Sequence, residues 1–125
     1  MINLDYRDHR SLHEQIESGF RELIVSGILE TDERLPSVRE LSISLTVNPN
    51  TVQKAYKQLE LDGYIYSIKG KGNFVAAAKD IAQNHKADEL YEILKQTLRE
   101  RMFLGEDKSG IQNLVNNIYR EKEER

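Results

Sequence analysis

Apolar residues recur at helical intervals through the first half of the chain and divide it into short helices. The first run follows a Ser-x-x-Glu pair at Ser11, a spacing typical of a helix start, and Gly27 ends it. A second Ser-x-x-Glu pair at Ser37 leads a shorter apolar face. These patterns predict one helix over about residues 11–26 and another over about 37–45, joined by a connection without a clear period.

A third helix is predicted over about residues 48–61, after a tight turn. Asn48 is a good N-cap, Pro49 suits the first helical position, and Gly63 provides the stop. One face of this helix is apolar and consists of Val52, Ala55, Tyr56 and Leu59. Two runs rich in β-branched and aromatic residues follow, on either side of Lys69-Gly-Lys-Gly72, and they predict a β-hairpin.

The last third of the chain predicts two more helices after a weak signal over about residues 77–86, which fits a linker or a frayed helix start. The fourth helix ends at Gly105, and the fifth is predicted to begin with Ser109 as N-cap, with Gln112 completing a capping box. Each helix carries an apolar stripe. The first consists of Leu90, Ile93, Leu94, Leu98 and Met102, and the second of Ile111, Leu114, Val115, Ile118 and Tyr119. Because so short a two-helix hairpin is marginal alone, the stripes need a covering surface, either the chain's own first domain or a partner.

Charge is unevenly distributed along the chain. The formal net charge is −3, but residues 34–75 hold six basic groups against three acidic ones. Since phosphate responds mainly to the local field, the basic middle is compatible with a nucleic-acid partner. The absence of cysteine excludes disulfides, thiolate zinc sites and cysteine nucleophiles. No apolar run approaches the roughly 20 residues of a membrane span, and the N-terminus has no features of a secretory signal, so we expect a soluble, cytoplasmic protein.

Two short helices joined by a tight turn, the second with a polar face, can place a recognition helix in the major groove of DNA. Asparagine and glutamine can bind adenine, lysine binds guanine acceptors and phosphates, and threonine serves either. The polar face of the third helix has this set: Asn50, Thr51, Gln53, Lys54 and Lys57. The same face also fits an ordinary solvated helix surface, so alone it leaves both interpretations open.

The glycine-rich turn of the hairpin adds a second DNA-binding signal. Lys69 and Lys71 are two cations on a turn where Gly70 and Gly72 allow close backbone approach, which suits a wing that touches a groove or phosphates. An ordinary charged hairpin turn has the same composition. A nucleotide-binding interpretation fails because the Gly-x-Gly spacing opens no helix.

Six short motifs follow one another between residues 35 and 75, within a match that spans about residues 10–76: Leu35-Pro-Ser-Val-Arg-Glu-Leu41, Val47-Asn-Pro-Asn-Thr-Val52, Lys54-Ala-Tyr56, Leu59-Glu60, Gly63-Tyr-Ile65 and Gly70-Lys-Gly-Asn-Phe-Val75. In this order they closely resemble the winged-helix domain of GntR-family bacterial transcription regulators. The short helical tail is similar to that of the YtrA subfamily, whose C-terminal region mediates dimerisation.

The resemblance implies a mostly α fold with a small β-hairpin wing. An N-terminal winged helix-turn-helix, residues 1–76, binds DNA, and a C-terminal two-helix tail, residues 77–125, mediates dimerisation. The implied function is a sequence-specific transcription regulator, usually a repressor in this family, that acts as a homodimer on a palindromic operator. Subfamily members are often encoded beside ABC-transporter genes, which points to a transporter operon. The sequence indicates no cofactor and identifies no effector.

The resemblance also implies roles for individual residues. Arg39, on the helix before the turn, matches the family arginine that contacts DNA, and Arg34 matches a commonly basic position before the Leu-Pro-Ser motif. Four residues fall where the family's recognition helix meets bases and phosphates: Asn48, Asn50, Thr51 and Gln53. Three more match the tip of the family's wing: Lys69, Gly70 and Lys71. The chain departs from the family at Thr31-Asp32, where a Pro-Gly turn is common, and at Pro49, where some members carry a basic contact residue.

Other classes of function have less support in the sequence. His9 and His13 are four residues apart near Asp5 and Asp8, but His85 is remote, and a metal site needs a defined ligand set. An enzyme is disfavoured because the chain has no cysteine, no Gly-x-Ser-x-Gly elbow and only scattered carboxylates. The main alternative is a protein-interaction module, in which the winged helix and the tail dock a protein partner. Protein docking would not specifically require the lysines of the third helix and the wing.

Overall fold

A computed structural model describes residues 2–82 and 86–124, and it divides the chain into two compact units, residues 1–86 and 87–125. The elements are α1 Leu12–Val25, α2 Val38–Leu45, α3 Pro49–Leu61, β1 Ile65–Ile68, β2 Gly72–Val75, α4 Ala78–Ala82, α5 Lys86–Phe103 and α6 Lys108–Glu123. The predicted fold class is confirmed: a mostly helical chain with a two-stranded antiparallel wing and helices at its C-terminal end. No helix in the described ranges combines the length and apolar character that a membrane span requires.

Polar side chains cap the N-termini of α2 and α3 in the first unit. At α2 both halves of the capping box form, because Glu40 N donates to Ser37 Oγ and Ser37 N donates to Glu40 Oε1. These bonds from Ser37 hold the pKa of Glu40 below its ordinary value. At α3 the Asn48 side chain accepts from the Asn50 N–H at 2.8 Å, and Pro49 occupies the first helical position. The predicted starts of α2 and α3 are therefore confirmed.

The core of the first unit lies where α1 and α2 pack against α3 and where β1 closes over the end of α3. Phe20 of α1 and Tyr56 of α3 meet edge to face, with ring centroids 5.6 Å apart. The predicted apolar face of α3 is buried throughout: Val52, Ala55, Tyr56 and Leu59. Because this face is held inward, the polar face of α3 must point to solvent.

Tyr56 places a hydroxyl inside this core. The hydroxyl donates to the carbonyl oxygen of Pro36 at 2.7 Å, so it links α3 to the residue that precedes α2. Burial raises the pKa of Tyr56 well above its ordinary value, and the nearby charge of Glu40 adds to the rise.

Alkaline pH is expected to destabilise the first unit through Tyr56. Above about pH 10 the unfolded chain releases this phenol proton while the folded chain retains it, so the free energy of unfolding falls by up to about 1.4 kcal/mol per pH unit. Tyr56→Phe is expected to make the fall shallower by that amount in urea unfolding between about pH 9 and 12. The matched control is Tyr6→Phe, at a residue that is 72% exposed and lies outside the tail. Equal slopes for wild type and Tyr56→Phe would contradict the prediction.

The connection between α1 and α2 is more ordered than its irregular sequence suggests. Residues 32–35 lie beside β2, with Asp32 N donating to the Val75 carbonyl at 2.8 Å and Val75 N donating to the Glu33 carbonyl at 2.9 Å. Asp32 is a turn residue with φ +69°, a conformation that glycine adopts more readily, and it belongs to the Thr31-Asp32 pair, where the resemblance leads us to expect Pro-Gly. Its carboxylate accepts the Tyr66 hydroxyl at 2.7 Å, which raises the pKa of Tyr66.

The residues before α1 are part of the first unit, a feature that the sequence did not predict. The buried side chain of Gln15 accepts from the Asp5 N–H at 2.8 Å and donates to the carbonyls of Asp5 and Arg10. Ile2 packs so closely on Gly19 that a Cβ there would lie 2.6 Å from the Ile2 Cδ1 atom. The N-terminal segment is therefore fastened to α1 by both polar and apolar contacts.

The start of α6 differs from the prediction. Asp107, not Ser109, is the N-cap, and its Oδ1 atom accepts from the Gly110 N–H at 2.8 Å. Ser109 instead donates its hydroxyl to the same oxygen at 3.3 Å, so the predicted capping box from Ser109 to Gln112 is wrong. A carboxylate cap is favoured here because negative charge stabilises the N-terminal end of a helix.

The two tail helices expose most of their apolar stripes, in which Leu98 and Ile111 are half-buried and the other members are exposed. Neither α5 nor α6 contains a buried residue, and among the described residues the two do not pack against each other along their lengths. Leu94 is 62% exposed and Ile118 is 53% exposed. Tyr119, at the end of the second stripe, is 66% exposed, and exposed apolar side chains outside the predicted stripes are Tyr91, Phe103 and Leu104. Most of the stability of a helix in a protein comes from packing of its apolar face, and these stripes have no covering surface among the described residues.

Candidate nucleic-acid interface

The turn between α2 and α3 sets the direction of the recognition helix. Thr46 closes α2 in the left-handed conformation, with φ +56°, and Val47 N donates to the Ser42 carbonyl at 3.0 Å. Asn48 then begins α3 at once. Its Oδ1 atom is used as the cap, so the two hydrogens of its amide nitrogen stay available as donors at the exposed start of the helix.

The polar face predicted to meet DNA is presented to solvent. On α3 the side chains of Asn50, Gln53, Lys54 and Lys57 are exposed, and Thr51 is half-buried. Arg39 is exposed on α2, the helix before the turn. Amide, hydroxyl, ammonium and guanidinium groups therefore line one helix-turn-helix, and these groups can bind base edges and phosphates.

The positive charges of this surface are not neutralised within the chain. Across residues 2–82 and 86–124, no carboxylate pairs with Arg39 or with the lysines Lys54, Lys57, Lys69 and Lys71. Salt bridges occur elsewhere in the described chain, for example between Arg10 and Asp8 at 2.9 Å, where the bonds from Arg10 lower the pKa of Asp8 to about 2. The cations of the interface keep their charge for an external anion.

The wing is a short hairpin with its two cations at the tip. β1 and β2 pair from Ile65 with Val75 to Ile68 with Gly72. At the tip Lys71 N donates to the Ile68 carbonyl at 2.9 Å, and Gly70 has φ +79°. Such a turn favours glycine because other residues rarely adopt a positive φ. The lysines on either side of Gly70, Lys69 and Lys71, are both exposed.

Arg34, one of the predicted contact residues, lies against the wing. Its Nε atom donates to the Lys71 carbonyl oxygen at 3.2 Å, so its side chain lies against the wing tip. Its terminal nitrogen also lies 3.9 Å from the Glu40 carboxylate. Of the eleven predicted residues, Arg34 and Lys71 are thus in direct contact across 37 positions of sequence. No local sequence pattern predicts this contact.

The histidines do not form a metal centre within the part of the chain that the structure describes. His9 is exposed beside Asp8, and His13 lies 3.4 Å from the Glu17 carboxylate on the next turn of α1. No group of three metal-ligating side chains occurs among the described residues, and His85 lies outside them.

Known proteins are similar to this chain in both sequence and fold. Residues 12–75 match the profile of the bacterial regulatory proteins of the gntR family. The HTH-type transcriptional repressor YtrA of Bacillus subtilis (strain 168) is 35% identical over 119 residues, which cover 94% of this chain and 92% of that protein.

Two solved structures extend the likeness to three dimensions. A transcriptional antiterminator from Listeria monocytogenes EGD-e superposes with a TM-score of 0.81 at 32% identity, over 98% of this chain and 92% of its own. YtrA from Sulfolobus acidocaldarius, a GntR-family transcription factor, superposes with a TM-score of 0.64 at 32% identity, over 78% of this chain and 97% of its own. The matched region contains the whole helix-turn-helix and the wing, and the relatives are regulators rather than enzymes. The chain is therefore a member of the gntR family, a YtrA-like transcription regulator.

Proposed function

We propose that this protein is a cytoplasmic transcriptional repressor that binds an inverted-repeat DNA operator as a homodimer. In each protomer α3 enters a major groove, and the wing tip reaches the neighbouring groove or backbone. The two recognition helices are separated by about one duplex turn, roughly 34 Å, or a multiple of it. The family resemblance points further to a transporter operon as the controlled gene set.

The observation that carries the proposal is the combination of exposure and free charge on α3 and the wing. The buried face of α3 holds its polar side chains outward, and the four lysines of helix and wing have no anionic partner among the described residues. A protein-docking surface does not specifically require such cations, whereas a phosphate backbone does. Repression is favoured because the Bacillus subtilis relative is named a repressor.

The tail supplies the reason for a homodimer. Most of its apolar stripe residues are exposed, on helices that contain no fully buried residue. A second copy offers an identical stripe, so a two-fold interface covers both at once. The same two-fold axis relates the two recognition helices, which matches the symmetry of an inverted repeat. We therefore propose residues 77–125 as the dimerisation region and residues 1–76 as the DNA-binding region.

Selection of bound duplexes from a random pool tests the proposal directly. At about 0.1 M salt, non-specific attraction is partly screened, so enrichment reports sequence recognition. We expect an inverted repeat to be enriched. If a folded protein enriches no sequence, the operator proposal fails and the protein-interaction module gains support.

Arg39→Ala is expected to weaken binding to the selected duplex by about 1–3 kcal/mol, or roughly 5- to 150-fold, if its guanidinium makes a specific contact. The prediction rests on its exposed position on α2 and on the absence of an anionic partner within the described chain. Fluorescence anisotropy with a labelled duplex measures the loss. The control is Arg7→Ala, which removes the same charge from a side chain that is 95% exposed and outside the helix-turn-helix. Equal affinities for the two variants would remove Arg39 from the interface.

A further inference from the structure

Arg34 belongs to the wing although it precedes the wing tip by more than thirty residues. It forms an antiparallel bridge with Phe74 of β2, and the neighbouring Leu35 N donates to the Asn73 carbonyl at 2.9 Å. The backbone of residues 32–35 thus borders the hairpin along β2. From this edge the Arg34 side chain extends toward the tip.

The contact at the tip is specific in its geometry. Arg34 Nε donates to the carbonyl oxygen of Lys71, the residue that carries the second cation of the wing. The next residue, Gly72, has φ +120°, and a Cβ at that position would lie 3.1 Å from Arg34 Nε. Glycine is favoured here by the positive φ, and a Cβ would also press on the Arg34 side chain unless it moved by a few tenths of an ångström. Arg34 and Gly72 therefore pack together at the wing tip.

The hydrogen bond from Arg34 to Lys71 is expected to stabilise the tip of the wing. A two-stranded hairpin is marginally stable alone, and the tip residues Lys69, Gly70 and Lys71 are all exposed. A mobile tip would lose conformational freedom on meeting DNA, and that loss would weaken binding. A charge-assisted hydrogen bond to the Lys71 carbonyl holds the backbone of the tip before DNA arrives. The outer nitrogen of Arg34 lies near Glu40, so part of its charge already faces a carboxylate.

We propose that Arg34 is a positioning residue for DNA binding: it presets the wing tip so that Lys71 meets the DNA backbone, and it makes no phosphate contact of its own. This inference rests on the proposed DNA-binding function. It assigns Arg34 a role different from that of Arg39, although both are exposed arginines of the same surface.

The test compares Arg34→Ala, Arg34→Lys, Lys71→Ala and the Arg34→Ala/Lys71→Ala pair on the duplex recovered by selection. Lysine retains the positive charge but lacks the Nε–H, so a positioning role predicts that Arg34→Lys loses affinity like Arg34→Ala, by about 3- to 10-fold. Lys71→Ala and the paired variant should each flatten the slope of log affinity against log salt by about 1, because the phosphate contact of Lys71 is lost. Arg34→Ala and Arg34→Lys should leave that slope unchanged, because Lys71 still meets its phosphate once DNA has ordered the tip. Arg7→Ala serves as the charge control.

A direct phosphate contact by Arg34 predicts a different pattern. Arg34→Lys would then keep its affinity and salt slope, and the paired variant would flatten the slope by about 2. Either result overturns the inference.

Amide hydrogen exchange without DNA separates this inference from the proposed function. Arg34→Ala and Arg34→Lys should speed exchange at the wing amides, such as Lys71 N, and leave the amides of α1 and α3 unchanged. Unchanged wing exchange overturns the inference whatever the DNA result, and faster wing exchange with full affinity overturns it as well. If the wild type binds no selected duplex, the proposed function fails first, and a positioning role in DNA binding fails with it.

Discussion

A glutamate in each apolar tail stripe, at Leu94 and at Ile118, is expected to convert the protein to a monomer and to weaken its binding to an inverted repeat by about 100-fold or more. Both side chains are more than half exposed within their own chain, so the change should leave the fold of the first unit intact. Affinity falls because a monomer binds a single half-site. In a dimer, binding of one half-site holds the second recognition helix near the other half-site at a high effective concentration, and the monomer lacks this gain. Light scattering gives the mass, and anisotropy gives the affinity.

The control for this variant carries Gln96→Glu and Asn113→Glu. These substitutions add the same two charges to the faces of α5 and α6 that lie opposite the stripes, since positions two residues away from Leu94 and five from Ile118 point elsewhere on a helix. The control should remain a dimer with wild-type affinity. A Leu94→Glu/Ile118→Glu variant that stays dimeric would place the interface elsewhere, and a monomer with full affinity would separate DNA binding from dimerisation.

Phe20→Ala is expected to lower the free energy of unfolding by about 3–5 kcal/mol. Phe20 is fully buried and contacts Tyr56 edge to face, so removing the ring leaves a cavity between α1 and α3. Stabilities of small domains are typically about 5–15 kcal/mol, so the loss is a large share of the total. Because α1 supports the buried face of α3, DNA binding should fail as the first unit unfolds. Urea unfolding followed by circular dichroism measures the change at one protein concentration.

Phe103→Ala is the matched control for this core variant. It deletes the same ring from a side chain that is 89% exposed near the end of α5. Its effect should be within about 0.5 kcal/mol of zero. A loss below about 1 kcal/mol for Phe20→Ala would show that the contact between α1 and α3 is not the main support of the recognition helix.

The parts of the fold that could be predicted are those with local causes. The start of α2 follows from the Ser37 and Glu40 pair, and the buried face of α3 follows from apolar spacing within 13 residues. The pairing of residues 32–35 with β2 joins residues about forty positions apart in sequence. The segment itself shows no alternation of apolar and polar residues from which a strand could be predicted. The cap of α6 was predicted at the wrong residue because two capping residues, Asp107 and Ser109, stand close together.

The candidate site divides in the same way. Exposure of Asn50, Gln53 and Lys54 follows from the helical period, because the opposite face had to be buried. The surroundings of Arg34 could not be predicted, since its contact with Lys71 exists only when the 32–35 segment lies beside the hairpin. Whether each predicted side chain touches a base or a phosphate stays a prediction until the selected duplex is in hand.

The absence of buried residues in α5 and α6 has a consequence for how such regulators diverge after gene duplication. Substitutions in the tail are little constrained by the packing of the chain's own fold, so in the proposed homodimer they would change the choice of pairing partner while the recognition helix stays the same. Two duplicated copies that still share a compatible stripe would form mixed pairs on asymmetric operators. One charged residue in a stripe would be enough to insulate the two regulatory circuits from each other.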